Sequence, residues 1–494
     1  MPYRSKPLLV LLVTLLLLAA RSSAQNPSNG SPYTAYGFGD LLHANQVPSA
    51  LMGGAGIAVT EPYSIFSANP ASYVGSAQWD QGGLQRPTFE GSVRGLFLDT
   101  RTATSSVQRR DGQFMGFSVG VPFGKGRWGL GLGIAPFSDV GYTLVDRQTF
   151  VDGTVDYEYA GSGGLNRVFA GVGRVLWQGR PDTLGNAGGR LVLGANFEYY
   201  FGGVEQSRKA VYPTGQAYTN TSAYSSLVLS APTGSFGLHY STQVIPKAVV
   251  KARLQRRELQ RRDRMEAWRL AHPGETPANV DRSTRDATPW RLTIGATASP
   301  AIALNATNTV LNTTFIRGSS GTESVLDTLP SSGDTKGSLT IPLAYGLGVS
   351  IGDQRFLITA EARSRDWTRL RTDIEGFTLP APLRASMVYT LGARYTPSLE
   401  GSLSARMTYR MGLRYSEDYL QVRGTQLRTA SISGGISIPL NAAQTNSHLH
   451  IGGEFGQRGT SDTELLKERV VSLWVGVSIT PWRGERWFRP YQIQ

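Results

Sequence analysis

Near its C-terminus the chain reads RVVSLWVGVSIT over residues 469–480, with Val471, Leu473, Val475, Val477 and Ile479 on one side of a two-residue alternation. Ser472, Gly476, Ser478 and Thr480 share the other side with Trp474. Successive side chains of a strand point to opposite faces, so this stretch is one apolar surface backed by small polar groups. The alternation recurs along nearly the whole chain. It predicts strands at roughly 78–100, 112–123, 127–137, 165–177, 190–202, 234–245, 289–314 (bent at Pro300), 338–351, 355–367, 384–395, 402–414, 427–440, 447–458 and 469–480. That is about fourteen, an even number as single-chain bacterial barrels have.

Two strands show the faces in detail. Over 338–351 the outward set reads Leu339, Ile341, Leu343, Tyr345, Leu347, Val349 and Ile351, against Thr340, Pro342, Ala344, Gly346, Gly348 and Ser350. Over 190–202 it is Leu191, Leu193, Ala195, Phe197 and Tyr199 against Gly194, Asn196 and Glu198. A soluble β-sandwich also alternates, but its wet faces carry polar, often charged residues. Long apolar ladders backed by glycine point instead to an all-β, antiparallel transmembrane barrel over 77–480. Connection lengths agree with that reading. The turns at 352–354, 396–401 and 441–446 are short, whereas 138–164, 203–233, 317–337, 368–383 and 415–426 read as long outer loops.

One connection breaks the rule. Residues 246–288 fall at the periplasmic end by parity yet are long. Within them, 251–270 reads KARLQRRELQRRDRMEAWRL, rich in helix formers and ended by Pro273-Gly274. The expectation is one basic helical insertion, either a solvated face or a docking element for a periplasmic protein, the envelope polymer or the inner leaflet.

Composition sharpens the compartment. Arg4 and Lys6 precede an apolar run from Leu8 to Ala20, and Ser22-Ser23-Ala24 offers a cleavage site, so 1–24 reads as a secretory signal peptide. The chain has no cysteine, which excludes lipid anchoring at Cys, disulfides, thiol nucleophiles and Cys-based zinc sites. Mean hydropathy is −0.20, and no later run reaches the ~18 apolar residues of a spanning helix. The net charge of +13 brings nucleic acid to mind, but arginines such as Arg406, Arg410 and Arg414 alternate with apolar residues and are expected to face a lumen. Nucleic acid is therefore not expected as a partner, and outer-membrane lipids are.

Residues 25–76 precede the first strand with turn signals enclosing Ile57, Val59, Ile65 and Phe66. A barrel of this width needs filling unless it is an open pore, so the segment is expected inside as a hatch. Here the chain resembles a known family. Ser31-Pro32-Tyr33-Thr34-Ala35-Tyr36-Gly37, Ala50-Leu51-Met52-Gly53-Gly54-Ala55-Gly56 and Asn69-Pro70-Ala71-Ser72 resemble the hatch of FadL/TodX-like outer-membrane transport proteins. The likeness extends to Gly131-Leu132-Gly133-Ile134-Ala135-Pro136-Phe137-Ser138, where the third strand is interrupted. It implies a fourteen-stranded, plugged barrel that takes up long-chain fatty acids or other hydrophobic compounds and releases them sideways at that strand. On this basis Phe38, Leu41, Leu42, Ile65, Phe66, Asn69, Pro70 and Ala71 are the candidate ligand-binding residues, and Gly133, Pro136 and Phe137 the candidate lateral opening. The insertion and the tail 481–494 depart from the family pattern. Family members also serve secretion machinery, so a non-transporting subunit of an envelope secretion or assembly complex is the rival reading.

Enzyme chemistry is not expected. Gly116-Phe117-Ser118-Val119-Gly120 matches the nucleophile-elbow pattern, but it lies within a strand where that motif needs a strand-to-helix turn. His448 and His450 share a strand face without further ligands and are read, with Glu454 and Arg458, as lumen lining. No catalytic residue, metal or cofactor is assigned.

Overall fold

The computed structural model describes residues 30–480 except 75–83, 85, 102–105, 152, 181–187, 214–217, 246–248, 319, 330–333, 376, 378–381, 400–401, 441–446 and 460–465. Between 253 and 289 it describes only 255, 256, 259, 262, 263, 266 and 270. The expected signal peptide and the tail 481–494 lie outside the described residues.

Fourteen antiparallel staves close into a ring among the described residues. They are β1 (Thr88–Arg101), β2 (Ser106–Phe123), β3 (Trp128–Pro136, resumed as Ser138–Phe150), β4 (Gly153–Gln178), β5 (Arg190–Val211), β6 (Asn220–Ile245) and β7 (Trp290–Ser299, resumed as Ile302–Arg317). Then follow β8 (Thr335–Ile341, resumed as Ala344–Gly352), β9 (Phe356–Asp366), β10 (Ala385–Tyr395), β11 (Thr408–Val422), β12 (Thr425–Pro439), β13 (His448–Arg458) and β14 (Lys467–Ile479). The ring shuts where β1 pairs with β14, from Phe89↔Ile479 to Arg101↔Lys467.

The outer face carries the expected apolar ladders. Val471, Leu473, Val475 and Ile479 on β14, and Tyr345, Leu347, Val349 and Ile351 on β8, are exposed while their alternate neighbours are buried. A closed ladder with such a face meets the requirement of hydrocarbon, which offers no hydrogen bonds to a free strand edge. Tyr199, Tyr389, Tyr409, Tyr415 and Trp177 lie among these outward residues, polar-tipped rings suited to a lipid–water boundary.

The structure corrects several expectations. Most of the described residues in 138–164 and 203–233 are strand, not loop, since β4 and β6 each run 26 residues and β5 runs 22. A tilted strand crosses a bilayer in about 9–11 residues, so these staves stand well clear of it. Above the lipid belt there is no apolar solvent to face, so pairing continues while the alternation fades. Polar cross-strand pairs replace it, as in Arg147 and Asp156, 2.7 Å apart. Likewise 415–426 is the β11–β12 hairpin turned at Arg423-Gly424, and 317–337 contains a further strand, Glu323–Leu329, paired with the top of β7.

Leu339 and Ile341 are buried, not outward. The stave breaks between its two pieces at Pro342-Leu343, and the inward set passes from Leu339 and Ile341 to Gly346, Gly348 and Ser350. A break of this kind moves every later side chain to the opposite face. The stave expected from Ser402 starts only at Thr408, after a helical turn, Leu403–Arg406, so Arg406 lies off the strand while Arg410 is buried inside. The first stave is described from Thr88, and the expected start at 78 lies outside the described residues. The described residues between 249 and 270 are helical.

Leu339 and Ile341 join Leu165, Leu229, Ile302 and Leu304 in an apolar cluster that lines the lumen. Trp367, Leu370 and Ile374, from the connection after β9, pack into the same cluster.

Candidate functional site: hatch, seam and cavity

Residues 30–74 fill the ring. Their lower part, 47–74, is buried almost throughout and is tied down by charge. Glu61 takes Arg394 Nη1 at 3.0 Å and Arg410 Nη2 at 2.6 Å, bringing together hatch, β10 and β11. Burial alone would raise the Glu61 carboxyl, but the two guanidiniums hold it below the usual carboxylate range. From β9, Glu361 Oε1 accepts the backbone N–H groups of Gly56, Ile57 and Ala58 at 2.9, 2.7 and 3.1 Å. Asn69 caps the short turn Pro70–Tyr73 with Oδ1 and donates Nδ2 to Ile57 O at 2.7 Å and Leu238 O at 3.2 Å. Inner-face glycines admit the hatch backbone: a Cβ at Gly412 would strike Gly53 N, and one at Gly295 would strike Ile57 O.

The upper part reaches the rim of the tall staves. Ser31 Oγ donates to Glu468 at 2.7 Å and Tyr33 OH to Leu466 O at 2.6 Å. Phe38 N donates to Tyr419 OH at 2.9 Å, and Arg458 Nη1 donates to Asp40 Oδ1 at 2.5 Å. Asp40–Leu41 also forms a two-residue strand on the resumed part of β3, with Asp40↔Asp139 and Leu41↔Ser138.

That contact lies at a seam in the wall. β2 and β3 pair only from Phe123↔Trp128 to Phe117↔Ile134. Above that rung β2 keeps β1 as its partner, and the resumed part of β3 keeps β4 and the hatch strand. Side chains bridge what backbone does not: Arg109 donates to Thr143 O and to Gly30 O, each at 2.8 Å, and Gln113 Nε2 donates to Asp139 at 2.7 Å. Gly133 sits one rung below the parting, Pro136 ends the paired piece of β3, and Phe137 occupies the break. Gly116, the first residue of the elbow-like motif, marks a bulge at the same level with φ of +129°, and Ser118 is buried on the inner face.

Beside the break is a half-open cavity of about 210 Å³ lined by Leu41, Leu42, Phe137, Tyr200, Trp367 and Val388. Three arginines share the lining: Arg167, Arg363 and Arg365. A second cavity of about 120 Å³, lined by Asp40, Arg94, Arg414, Glu454 and Arg458, lies on the other side of the hatch strand. The candidate ligand-binding residues therefore separate. Leu41 and Leu42 line the cavity, and Phe38 packs on its Trp367 wall at 5.6 Å between ring centroids. Ile65 packs on Tyr73, Leu84 and Phe169, and Phe66 on Met52, Ala55 and Val59. Asn69, Pro70 and Ala71 form the turn against β5 and β6, apart from the cavity. Sequence reading missed Glu61, Glu361, Arg365 and Arg394. For Glu361, Arg365 and Arg394 the signal was a charged residue at an inward position of a ladder, as in Glu361, Arg363 and Arg365 between outward Ile358 and Ala360 and the end of β9; Glu61, in the hatch, has no such alternation around it. His450 bonds Ser437 Oγ at 2.7 Å and Ser478 Oγ at 2.6 Å, and His448 stacks on Tyr63 at 3.8 Å.

A fourteen-stave ring with a hatch inside it and an upper seam defines a plugged transmembrane β-barrel. A family model described as BamG matches residues 6–262 and 278–494, and the chain belongs to that family. Its fold is similar to that of the P. putida toluene transporter TodX, at 13% identity and a TM-score of 0.50, covering 90% of this chain and 100% of that one. The Ralstonia pickettii toluene transporter TbuX aligns at 14% identity and a TM-score of 0.49, covering 89% and 99%. A Pseudomonas aeruginosa FadL homologue aligns at 11% and 0.47, covering 89% and 99%. At such identities the TodX likeness speaks for the fold alone. No curated protein matches the chain in sequence.

Proposed function

We propose that the protein is an outer-membrane barrel for passive uptake of hydrophobic compounds, long-chain fatty acids among them, with lateral release into the bilayer. The observation that carries this reading is the contiguity of cavity and seam: Pro136 and Phe137 belong both to the break in β3 and to the cavity lining. A ligand resting on Leu41, Leu42 and Trp367 is one side chain away from the parted strands. Apolar walls with a few placed polar groups are what such a ligand needs. The hatch below stays in place, so polar solutes find no through-path. The test is uptake of a radiolabelled hydrophobic probe into cells expressing the protein, together with mass spectrometry of ligands that copurify. Uptake equal to that of cells lacking the protein, with no copurified ligand, overturns the reading.

A second reading, a non-transporting subunit of an envelope secretion or assembly complex, has its own support. The described helical residues between 249 and 270 leave Leu259 and Leu270 exposed beside basic side chains, a surface that suits a protein partner. By parity this insertion faces the periplasm. Purification at native expression level in mild detergent discriminates the two. A stoichiometric partner lost on deletion of residues 249–289 favours the complex.

A further inference from the structure

We propose that the cavity beside the seam takes compact aromatic or short-chain organic acids, and that Arg365 is the residue that holds their carboxylate. The proposal deepens the uptake reading above and rests on it. Of the three arginines in the lining, two already have counter-charges. Arg167 pairs with Glu198 at 3.2 Å, and Arg363 pairs with Glu361 at 3.2 Å while donating to His43 O and Gly54 O. Arg365 has no carboxylate within ion-pair distance among the described residues, and its Nε is buried without a hydrogen-bond partner. An anion arriving in the cavity supplies the missing partner, and a guanidinium presents a planar fork that matches a carboxylate.

The guanidinium is held in place for that role. Its carbon sits 5.5 Å from the centre of the Phe137 ring and 5.3 Å from that of Trp367. Trp367 is in turn fixed by Nε1 donating to Ser386 Oγ at 3.1 Å and by Tyr419 at 5.0 Å between centroids. Phe137 stands edge-on to Tyr200 at 5.1 Å. The cation is therefore set among rings that also offer flat surfaces to an aromatic ligand. Size limits the class. At about 210 Å³ the space is smaller than the roughly 300–1,000 Å³ of pockets that enclose drug-sized ligands. It encloses a ring or a short chain, and a long alkyl chain would have to extend out of it.

The full-length protein in detergent is titrated calorimetrically with 3-phenylpropanoate, with its neutral counterpart 3-phenylpropanol, and with hexadecanoate. A charge-assisted contact to Arg365 makes the phenyl acid bind about 10- to 100-fold tighter than the alcohol. Arg365→Gln removes that preference while leaving the affinity for the alcohol in place, and Arg365→Lys restores part of it. The acid-versus-alcohol comparison needs no variant, so a folding defect in Arg365→Gln does not shelter the proposal. Equal binding of acid and alcohol overturns it, as does a preference that survives Arg365→Gln. Binding of hexadecanoate alone overturns the compact class but leaves hydrophobic uptake standing. Failure of all three ligands, with no uptake by cells, removes both readings.

Discussion

The two parts of the hatch meet the same barrel by different chemistry. The lower part, 47–74, is fixed by full charges in buried positions: Glu61 between Arg394 and Arg410, and Glu361 gathering three successive backbone N–H groups. The upper part, 30–44, is fixed mainly by hydroxyl contacts (Ser31 Oγ to the Glu468 carboxylate, Tyr33 OH to Leu466 O, and Phe38 N–H to Tyr419 OH), by the half-exposed Asp40 carboxylate, and by a two-residue ladder on the parted edge of β3. That short ladder sets Asp40 directly opposite Asp139, and like charges in that relation weaken a sheet. The barrel thus has a floor that is held from β9, β10 and β11 and a ceiling that is held from β11, β13, β14 and the parted edge of β3. A passage for hydrophobic ligands needs the ceiling to move and the floor to stay.

The largest expected effect tests the floor. Glu61→Ala leaves two buried guanidiniums facing each other without a counter-charge, a kind of change that costs about 3–5 kcal/mol. Reversible urea unfolding of the protein in lipid vesicles, followed by tryptophan fluorescence, should show a loss of that order. A loss under about 1 kcal/mol would mean that water reaches the site, and the contrast with the upper hatch would collapse. The same group predicts acid sensitivity. Its carboxyl is held below the ordinary value when folded, so its stabilisation is complete above the unfolded carboxylate pKa of about 4.3. That stabilisation fades as pH falls through the lower folded value. Protease accessibility of the hatch should therefore rise on acidification in the native protein and lose this pH dependence in Glu61→Ala.

How much of this was written in the chain follows from which solvent each side chain meets. Lipid-facing residues such as Leu347 and Leu473 must be apolar over many rungs, so their faces and the number of staves were legible. Leu339 and Ile341 show where the signal fails. They are apolar because they pack on Leu304 and Trp367 in the lumen, and alternation alone does not distinguish an apolar lumen from lipid. The tall tops of β4 to β6 were read as loops because without lipid on the outer face the alternation is lost while the ladder persists. The pairing of β2 with β3 ends close to Pro136, whose missing donor is a local property of the chain. The partners of Glu61 and Glu361 were not legible, since each acquires them across about 300 residues of chain or more.

A smaller effect sharpens the contrast at the ceiling. Asp40 is partly exposed, and Arg458 retains Glu468 at 2.8 Å when Asp40 is neutralised. Asp40→Asn should therefore cost only about 1 kcal/mol, typical of an accessible ion pair, and it also relieves the repulsion with Asp139. Hydrogen exchange at the Phe38 amide should change by about fivefold or less, while that at Ile57, donated to Glu361, stays as in the native protein. Equal changes at both amides would show that the hatch moves as one body.

An effect of similar size bears on the seam itself. Pro136 is the last residue of the paired piece of β3, bonded on one side into the rung Pro136↔Asn166 with β4. On the other side lies β2, whose last rung with β3 is Phe117↔Ile134. The next rung would engage position 136, and proline brings no N–H to it. Pro136→Val supplies the donor with little change in side-chain size at a position that also lines the cavity. Gly133→Val is a poorer probe, because a Cβ there would meet Phe117 O and the Phe169 ring, each at 2.6 Å. One added rung is worth about 0.5–1.5 kcal/mol, which favours the zipped wall by roughly two- to tenfold. Uptake of a hydrophobic probe should fall by that factor or less in Pro136→Val, with the urea midpoint of the barrel unchanged. A properly assembled variant that takes up the probe at the native rate would place the exit somewhere other than between β2 and β3.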